Sequence, residues 1–163
     1  MIVKGGDCQM LSLFRKRKAA DAFEIDNPKL TIASNMHDPE TILMEAKVEY
    51  RTVTKGYIVF EGYVFGSDFP LMIGIHFKPS RVEYLEIFRP MEYYRSEQYD
   101  IQASFAELSD LLKKQYGNPL ITKSAVLFGY PHEQWRTPNY LIDHYIMDRF
   151  GPEEHLHICF HRK

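Results

Sequence analysis

The alternation of apolar and polar residues predicts an antiparallel sheet in the first half of the chain. Residues 42–50 carry apolar side chains at every even position and mostly charged ones between them. This is the two-residue period of a strand with one buried face. Aromatic and β-branched runs between turn residues predict further strands at 29–34, 57–65, 71–78 and 81–89. Strands that follow one another through short turns form a meander.

A helical period replaces the strand pattern at about residues 104–116. Ser104 is the predicted N-cap, and Glu107 completes a capping box with it. Gly117 follows the last turn, where a helix commonly ends. The apolar stripe of this helix consists of Phe105, Leu108, Leu111, Leu112 and Tyr116.

Two final strands, 140–149 and 154–161, predict a C-terminal β-hairpin. The segments 90–99 and 131–138 lack a clear period and are expected to be loops. The fold class that follows is α+β: an antiparallel meander of about six to eight strands, with one capped helix packed on one face.

Composition and charge narrow the classes of protein. The chain has 163 residues, 45% of them hydrophobic, which suits one domain with a real core. A net charge of −2 argues against a nucleic-acid partner. No apolar run approaches the ~20 residues of a membrane helix, and Cys8 and Cys159 cannot form a disulfide framework. We therefore expect a cytoplasmic protein that binds neither nucleic acid nor membrane.

The N-terminus divides into a leader and a basic tail. Residues 4–7 read Lys-Gly-Gly-Asp, which the genetic code can spell as a bacterial ribosome-binding site just upstream of a start at Met10. Our interpretation is that 1–9 are a mis-annotated leader or disordered, that 10–28 form a basic tail, and that 29–163 form a single α+β domain.

The last strand carries the residues with the most chemistry. Alternation places Leu156, Ile158 and Phe160 on one face. It places His155, His157, Cys159 and His161 on the other, and imidazole and thiolate are zinc ligands.

A pairing of Phe150 with Glu153 would bring two residues of the neighbouring strand to this histidine face. In that register His144 lies opposite Cys159, and Asp148 lies opposite His155. Side chains two apart on one strand are ~6.5–7 Å apart, whereas zinc ligands lie ~3–4 Å from one another. A zinc site would therefore use His144, His157 and Cys159, or Asp148, His155 and His157; the alternative is a partly solvated polar face.

Aromatic side chains supply a second candidate surface. The chain contains 11 Tyr, 11 Phe and one Trp, and Tyr and Trp are favoured in interfaces. The proposed interaction surface consists of Tyr57, Tyr63, Tyr93, Tyr94 and Trp135. For Trp135 the alternative is a core position beneath the 131–138 segment.

These observations favour a non-catalytic binding or interaction domain of a bacterial cytosolic protein, with an unknown protein partner or as a homodimer. No phosphate-binding glycine loop, dinucleotide fingerprint, serine-nucleophile motif or paired-cysteine zinc motif is present. The alternative is a metal-binding protein or metal-dependent enzyme that uses the C-terminal His/Cys face, with zinc as its metal. The sequence leaves catalysis open and leans against it.

Overall fold

The computed structural model describes residues 21–123 and 130–161. The predicted leader 1–9 and most of the predicted tail therefore lie outside the described residues. The strands are β1 Ala22–Ile25, β2 Leu30–Ala33, β3 Tyr50–Thr54, β4 Tyr57–Gly62, β5 Leu71–Lys78, β6 Arg81–Phe88, β7 Ile121–Lys123, β8 His132–Arg136, β9 Tyr140–Asp148 and β10 Pro152–Phe160. The helices are α1 Pro39–Glu45, α2 Met91–Tyr94 and α3 Ile101–Tyr116.

The main sheet has eight strands in the order β3-β4-β5-β6-β10-β9-β8-β7, and every pairing is antiparallel. It consists of two four-stranded meanders that meet where β6 pairs with β10. The helices α2 and α3 lie in the connection between the two meanders. The α+β class with an antiparallel meander and one long helix is thus confirmed.

One face of this sheet, which we call the inner face, packs on the hydrophobic core. Leu43 of α1, Leu108 and Leu112 of α3, and Phe23 of the β1–β2 hairpin belong to one buried cluster with the sheet residues. Phe105 of α3 stacks on His144 with ring centroids 3.9 Å apart. The buried side chains of α1 and α3 thus lie on the inner side of the sheet. No described helix is long and apolar enough to cross a membrane.

The strand predicted from residues 42–50 is wrong. Residues 39–45 form α1 instead, because Asp38 caps the helix by accepting a hydrogen bond from the Thr41 backbone N–H at 3.2 Å, and Pro39 occupies the first turn. Two residues of this helix, Pro39 and Leu43, are buried, whereas Met44 is exposed. The Asp-Pro start signal therefore outweighed the alternation.

The long helix ends at Tyr116 as predicted, but it begins three residues before Ser104. Asp100 is the N-cap and accepts a hydrogen bond from the Ala103 backbone N–H at 2.8 Å. Ser104 is fully buried, and Glu107 pairs with Arg89 rather than closing a capping box. The predicted cap residues are thus part of a tertiary contact.

Three segments assigned to tail or loop are ordered elements. Residues 22–25, placed in the basic tail, form β1, with Phe23 and Ile25 buried. The 90–99 loop contains the short α2, and the 131–138 loop contains β8. These segments are too short for a periodic signal, so tertiary pairing decides their conformation.

Candidate functional site on the outer face of the sheet

The second face of the eight-stranded sheet, which we call the outer face, carries aromatic, histidine and acidic side chains. Its register aligns β4, β5, β6, β10, β9 and β8 side by side. Its members include Tyr57, Val59, Met72, His76, Tyr84, Glu86, Phe88, Gln134, Leu141, Asp143, Tyr145, Met147, His155, His157 and Cys159. All of them except Val59 are half-buried.

A ladder of stacked rings crosses β4, β5 and β6 on this face. Tyr57 stacks on His76 with centroids 4.0 Å apart, and His76 stacks on Tyr84 at 4.1 Å. The Tyr57 ring lies across Gly74, where an added Cβ would come within 2.8 Å of a ring carbon. Glycine at this position lets the tyrosine hydroxyl reach Glu86.

Glu86 is held in place by its neighbours on the ladder. Its Oε2 accepts a hydrogen bond from the Tyr57 hydroxyl at 3.0 Å and lies 3.3 Å from Nε2 of His76. The hydrogen bond from His76 lowers the pKa of Glu86 against the opposing effect of burial, and the Tyr57 hydroxyl lowers it further. Glu86 is therefore an ionised carboxylate at neutral pH, and the contacts from Tyr57 and His76 both use its Oε2.

Two histidines of β10 face this carboxylate. His157 pairs directly with Glu86 across the β6–β10 ladder, and His155 lies two residues earlier on the same face. Tyr145 of β9 stacks on His155 at 5.1 Å and meets His157 edge-on at 5.9 Å. Burial lowers the pKa of His157, which keeps its imidazole neutral at pH 7.

Glu86, His155 and His157 form a group, which we call the Glu-His-His trio, with the spacing of potential metal ligands. One ligand atom from each can be chosen so that all three lie within 4.8 Å of one another. Zinc ligands lie ~3–4 Å apart, so atoms within 4.8 Å of one another need at most small side-chain rotations to bind one ion. Two imidazoles and one carboxylate are a ligand set that binds zinc and other divalent transition metals.

The register predicted for the C-terminal hairpin is wrong by three residues. Asp148 pairs with Pro152 and His144 pairs with Leu156, whereas the prediction had paired Phe150 with Glu153. The shift is odd, so every β9 side chain changes face. Asp143 and Tyr145 join the histidines of β10, and His144 joins the core.

His144 is therefore not a member of the histidine face. It is fully buried on the inner face, where Nε2 lies 2.8 Å from Oε1 of Glu154 and Nδ1 lies 3.2 Å from the Ser109 hydroxyl. Oε2 of Glu154 accepts a hydrogen bond from Ser104 at 2.6 Å, and Arg89 donates to the same serine at 3.1 Å. This buried network fixes α3 to β6, β9 and β10.

Asp148 and Cys159 also lie apart from the trio. Asp148 is exposed at the end of β9, where it accepts hydrogen bonds from the Gly151 N–H at 3.1 Å and the Tyr130 hydroxyl at 3.3 Å. Cys159 is on the outer face, but it does not belong to the group of closely spaced ligand atoms. Burial, with the nearby Asp143 carboxylate, raises the pKa of its thiol.

The five residues of the predicted interaction surface occupy four different places. Tyr57 lies on the outer face, whereas Trp135 is only 2% exposed and donates from Nε1 to the Gly117 carbonyl at 2.8 Å. Tyr63 pairs its backbone with Asn27. Tyr93 and Tyr94 form an edge-to-face cluster with Tyr99, and Tyr93 packs on the Arg89 guanidinium. The prediction that Trp135 belongs to a surface is therefore wrong, and this side chain occupies the core position given as the alternative.

Glu86 and Glu154 are the site and network residues that sequence reasoning missed. Glu86 gives no signal of its own, since its contact with His157 depends on the pairing of β6 with β10, in which the two residues lie 157 − 86 = 71 positions apart. Glu154 shares its face with Leu156 and Ile158. A carboxylate on an apolar face requires a buried partner, and that signal could have identified His144.

Comparison with known proteins adds no assignment. The chain matches no known protein family, no curated protein and no solved structure.

Proposed function

We propose that this chain is a non-catalytic binding domain that uses the outer face of its sheet, and that its partner is a second copy of the same chain. The observation that carries the proposal is the composition of that face. In the described part of the chain, the outer face holds large apolar side chains such as Met72, Phe88, Leu141 and Tyr145, and α1 and α3 pack on the opposite side. Half-buried aromatic and Met side chains are typical of interfaces.

The charges of the face favour a copy of itself over a strongly charged partner. Acidic Glu86 and Asp143 alternate with His76, His132 and the histidines of β10. Each of these carboxylates is already bonded to a histidine, His76 or His132, so a twofold pairing brings no block of unpartnered like charges together, and a phosphate backbone would meet carboxylates.

The size of the face is sufficient for a dimer of modest affinity. Six strands spaced ~4.8 Å apart, each contributing about six residues at ~3.3 Å, cover roughly 29 by 20 Å, or about 580 Å². Two such faces bury about 1,200 Å², at the lower end of specific interfaces. Two sheets packed in this way lie ~10 Å apart, as in a β-sandwich.

A triad-like line of hydrogen bonds in the described core does not argue for hydrolysis. Ser109, His144 and Glu154 form a hydrogen-bonded line, but Ser109 is 2% exposed and His144 is 0% exposed. A substrate cannot reach a serine in that position without unfolding the core. The line is better explained as a structural network.

Light scattering coupled to size exclusion tests the proposal. We expect the wild type to have twice the 19.2 kDa chain mass at concentrations near 100 µM, and Met72→Glu to be monomeric because it places a carboxylate in the face. Met44→Glu is the matched control, since Met44 is 57% exposed on α1, and it should remain dimeric. A monomeric wild type, or dissociation by the control alone, contradicts the proposal.

A further inference from the structure

We infer that the Glu-His-His trio is a binding site for one divalent transition-metal ion, with Zn²⁺ as the probe. The inference deepens the proposed function, since it names a ligand of the same outer face. It rests on three ligand atoms, one each from Glu86, His155 and His157, that lie within 4.8 Å of one another.

The site lies where the two meanders join. Glu86 comes from β6 and both histidines from β10, the two central strands of the sheet. Central strands are paired on both sides, so their backbones hold the three side chains in a fixed relation. A site on such elements is better preorganised than one on loops.

The carboxylate already has the outer contacts that orient a metal ligand. The Tyr57 hydroxyl and His76 both engage Oε2 of Glu86, at 3.0 and 3.3 Å. Since both contacts use Oε2, we assign Oε1 as the oxygen for the ion. Hydrogen bonds of this kind fix the direction of a ligating carboxylate and contribute to metal affinity.

The two imidazoles are held in place by their neighbours. His157 is half-buried and pairs with Glu86 across the β6–β10 ladder. Its ring contacts those of Tyr84 and Tyr145, with centroids 5.3 and 5.9 Å away. His155 is stacked on Tyr145, which holds its ring while Nε2 stays 3.7 Å from the exposed Glu153.

Three protein ligands leave at least one coordination position for water or for a donor from a second copy. Cys159 is not that donor, because its sulfur does not belong to the group of closely spaced ligand atoms. The hard ions Mg²⁺ and Ca²⁺ prefer all-oxygen sites, so the ligand set selects against them.

Calorimetric titration of tag-free, chelator-treated protein with Zn²⁺ tests the site. We expect one ion per chain, no heat with Mg²⁺, and a loss of affinity of about 100-fold or more in Glu86→Gln and in His157→Gln. His76→Gln removes an orienting contact and should lower affinity by about 10- to 100-fold. His132→Gln is the matched control: it lies on the same face, bonded to Asp143, and should bind as the wild type does.

Nitrogen NMR of the imidazoles gives a readout that does not depend on affinity. Zn²⁺ should shift one ring nitrogen each of His155 and His157 and leave His132 unchanged, and circular dichroism should show that each variant is folded. Absence of saturable binding, or binding that survives Glu86→Gln and His157→Gln, overturns the inference. Mass measurement in chelator keeps the two proposals separate, because a metal-binding monomer contradicts only the dimer and a metal-free dimer contradicts only the site.

Discussion

Replacing Glu154 by leucine should remove a large part of the stability of this protein. The Glu154 side chain is 4% exposed and accepts hydrogen bonds from Ser104 at 2.6 Å and from His144 at 2.8 Å. Leucine accepts neither bond, so two buried groups lose their acceptor. Each such loss costs about 1–3 kcal/mol, and we expect a total of about 4 kcal/mol.

The size of the effect makes it measurable by urea denaturation. The emission of Trp135, the single tryptophan of the chain and only 2% exposed, reports global unfolding. A loss of about 4 kcal/mol lowers the melting temperature by roughly 8–16 °C for a domain of this size. The denaturant slope should not change, because the native state buries the same surface.

A double-mutant cycle separates the network from the loss of a single side chain. His144→Leu alone strands the Glu154 carboxylate in the core, whereas His144→Leu with Glu154→Leu removes both members of the pair. Replacing both partners by apolar groups costs less than breaking the pair, so the double variant should lose about 2 kcal/mol less than the sum of the singles.

Glu153→Leu is the control for the cycle. Glu153 is the neighbouring glutamate, its side chain is 70% exposed, and its carboxylate lies 3.7 Å from Nε2 of His155. We expect a change within about 0.5 kcal/mol. Additive single effects, or an equal loss in the control, would refute the reasoning that the buried pair carries the stability.

Three further changes have defined outcomes. Gly74→Ala should displace Tyr57 and cost about 1 kcal/mol in urea, and adding Tyr57→Phe should then cost nothing more, since the hydrogen bond is already lost. Burial raises the pKa of Tyr94 to about 12, so the folded state holds this proton longer and stability should fall between pH 10 and 12; Tyr94→Phe should flatten that fall in denaturation at each pH. Burial lowers the pKa of His157, so its effect on stability runs in the opposite direction with pH. Stability should decline as the pH falls below about 6.5, and less so in His157→Gln, when denaturation is measured at each pH.

The bounds of an element were predicted best where its own residues follow a clear strand or helix period. The strand β5 has the predicted bounds, and β6 and the end of α3 agree within one residue. Prediction failed where two signals competed within a few residues. Asp38 and Pro39 start a helix at the beginning of an alternating run. Asp100 caps α3 although Ser104, with Glu107 three residues later, has the stronger capping signature in the sequence. Ser104 instead satisfies a carboxylate 50 residues away.

The strand β10 shows why the candidate site could be predicted only in part. Its alternation correctly separated His155 and His157 from Leu156 and Ile158, since that depends on one strand alone. Which residues lie beside them depends on two registers, and the sequence also allows a hairpin register in which Tyr145 and Met147 share the face of Leu156 and Ile158. In the observed register both strands bury their apolar side chains on the inner face: Ile142, Ile146, Leu156 and Ile158. His144 is buried with them, and Glu154 satisfies its imidazole.

The two faces of β10 therefore depend on one another. The His144–Glu154 pair on the inner face fixes which side chains of β9 turn outward, and so places Tyr145 against His155 and His157. A slip of this hairpin by one residue would return His144 to the outer face and remove Tyr145 from it. The buried network thus positions the Glu-His-His trio through the register of β9 on β10, and variants that loosen the network without unfolding the chain should weaken Zn²⁺ binding as well as stability.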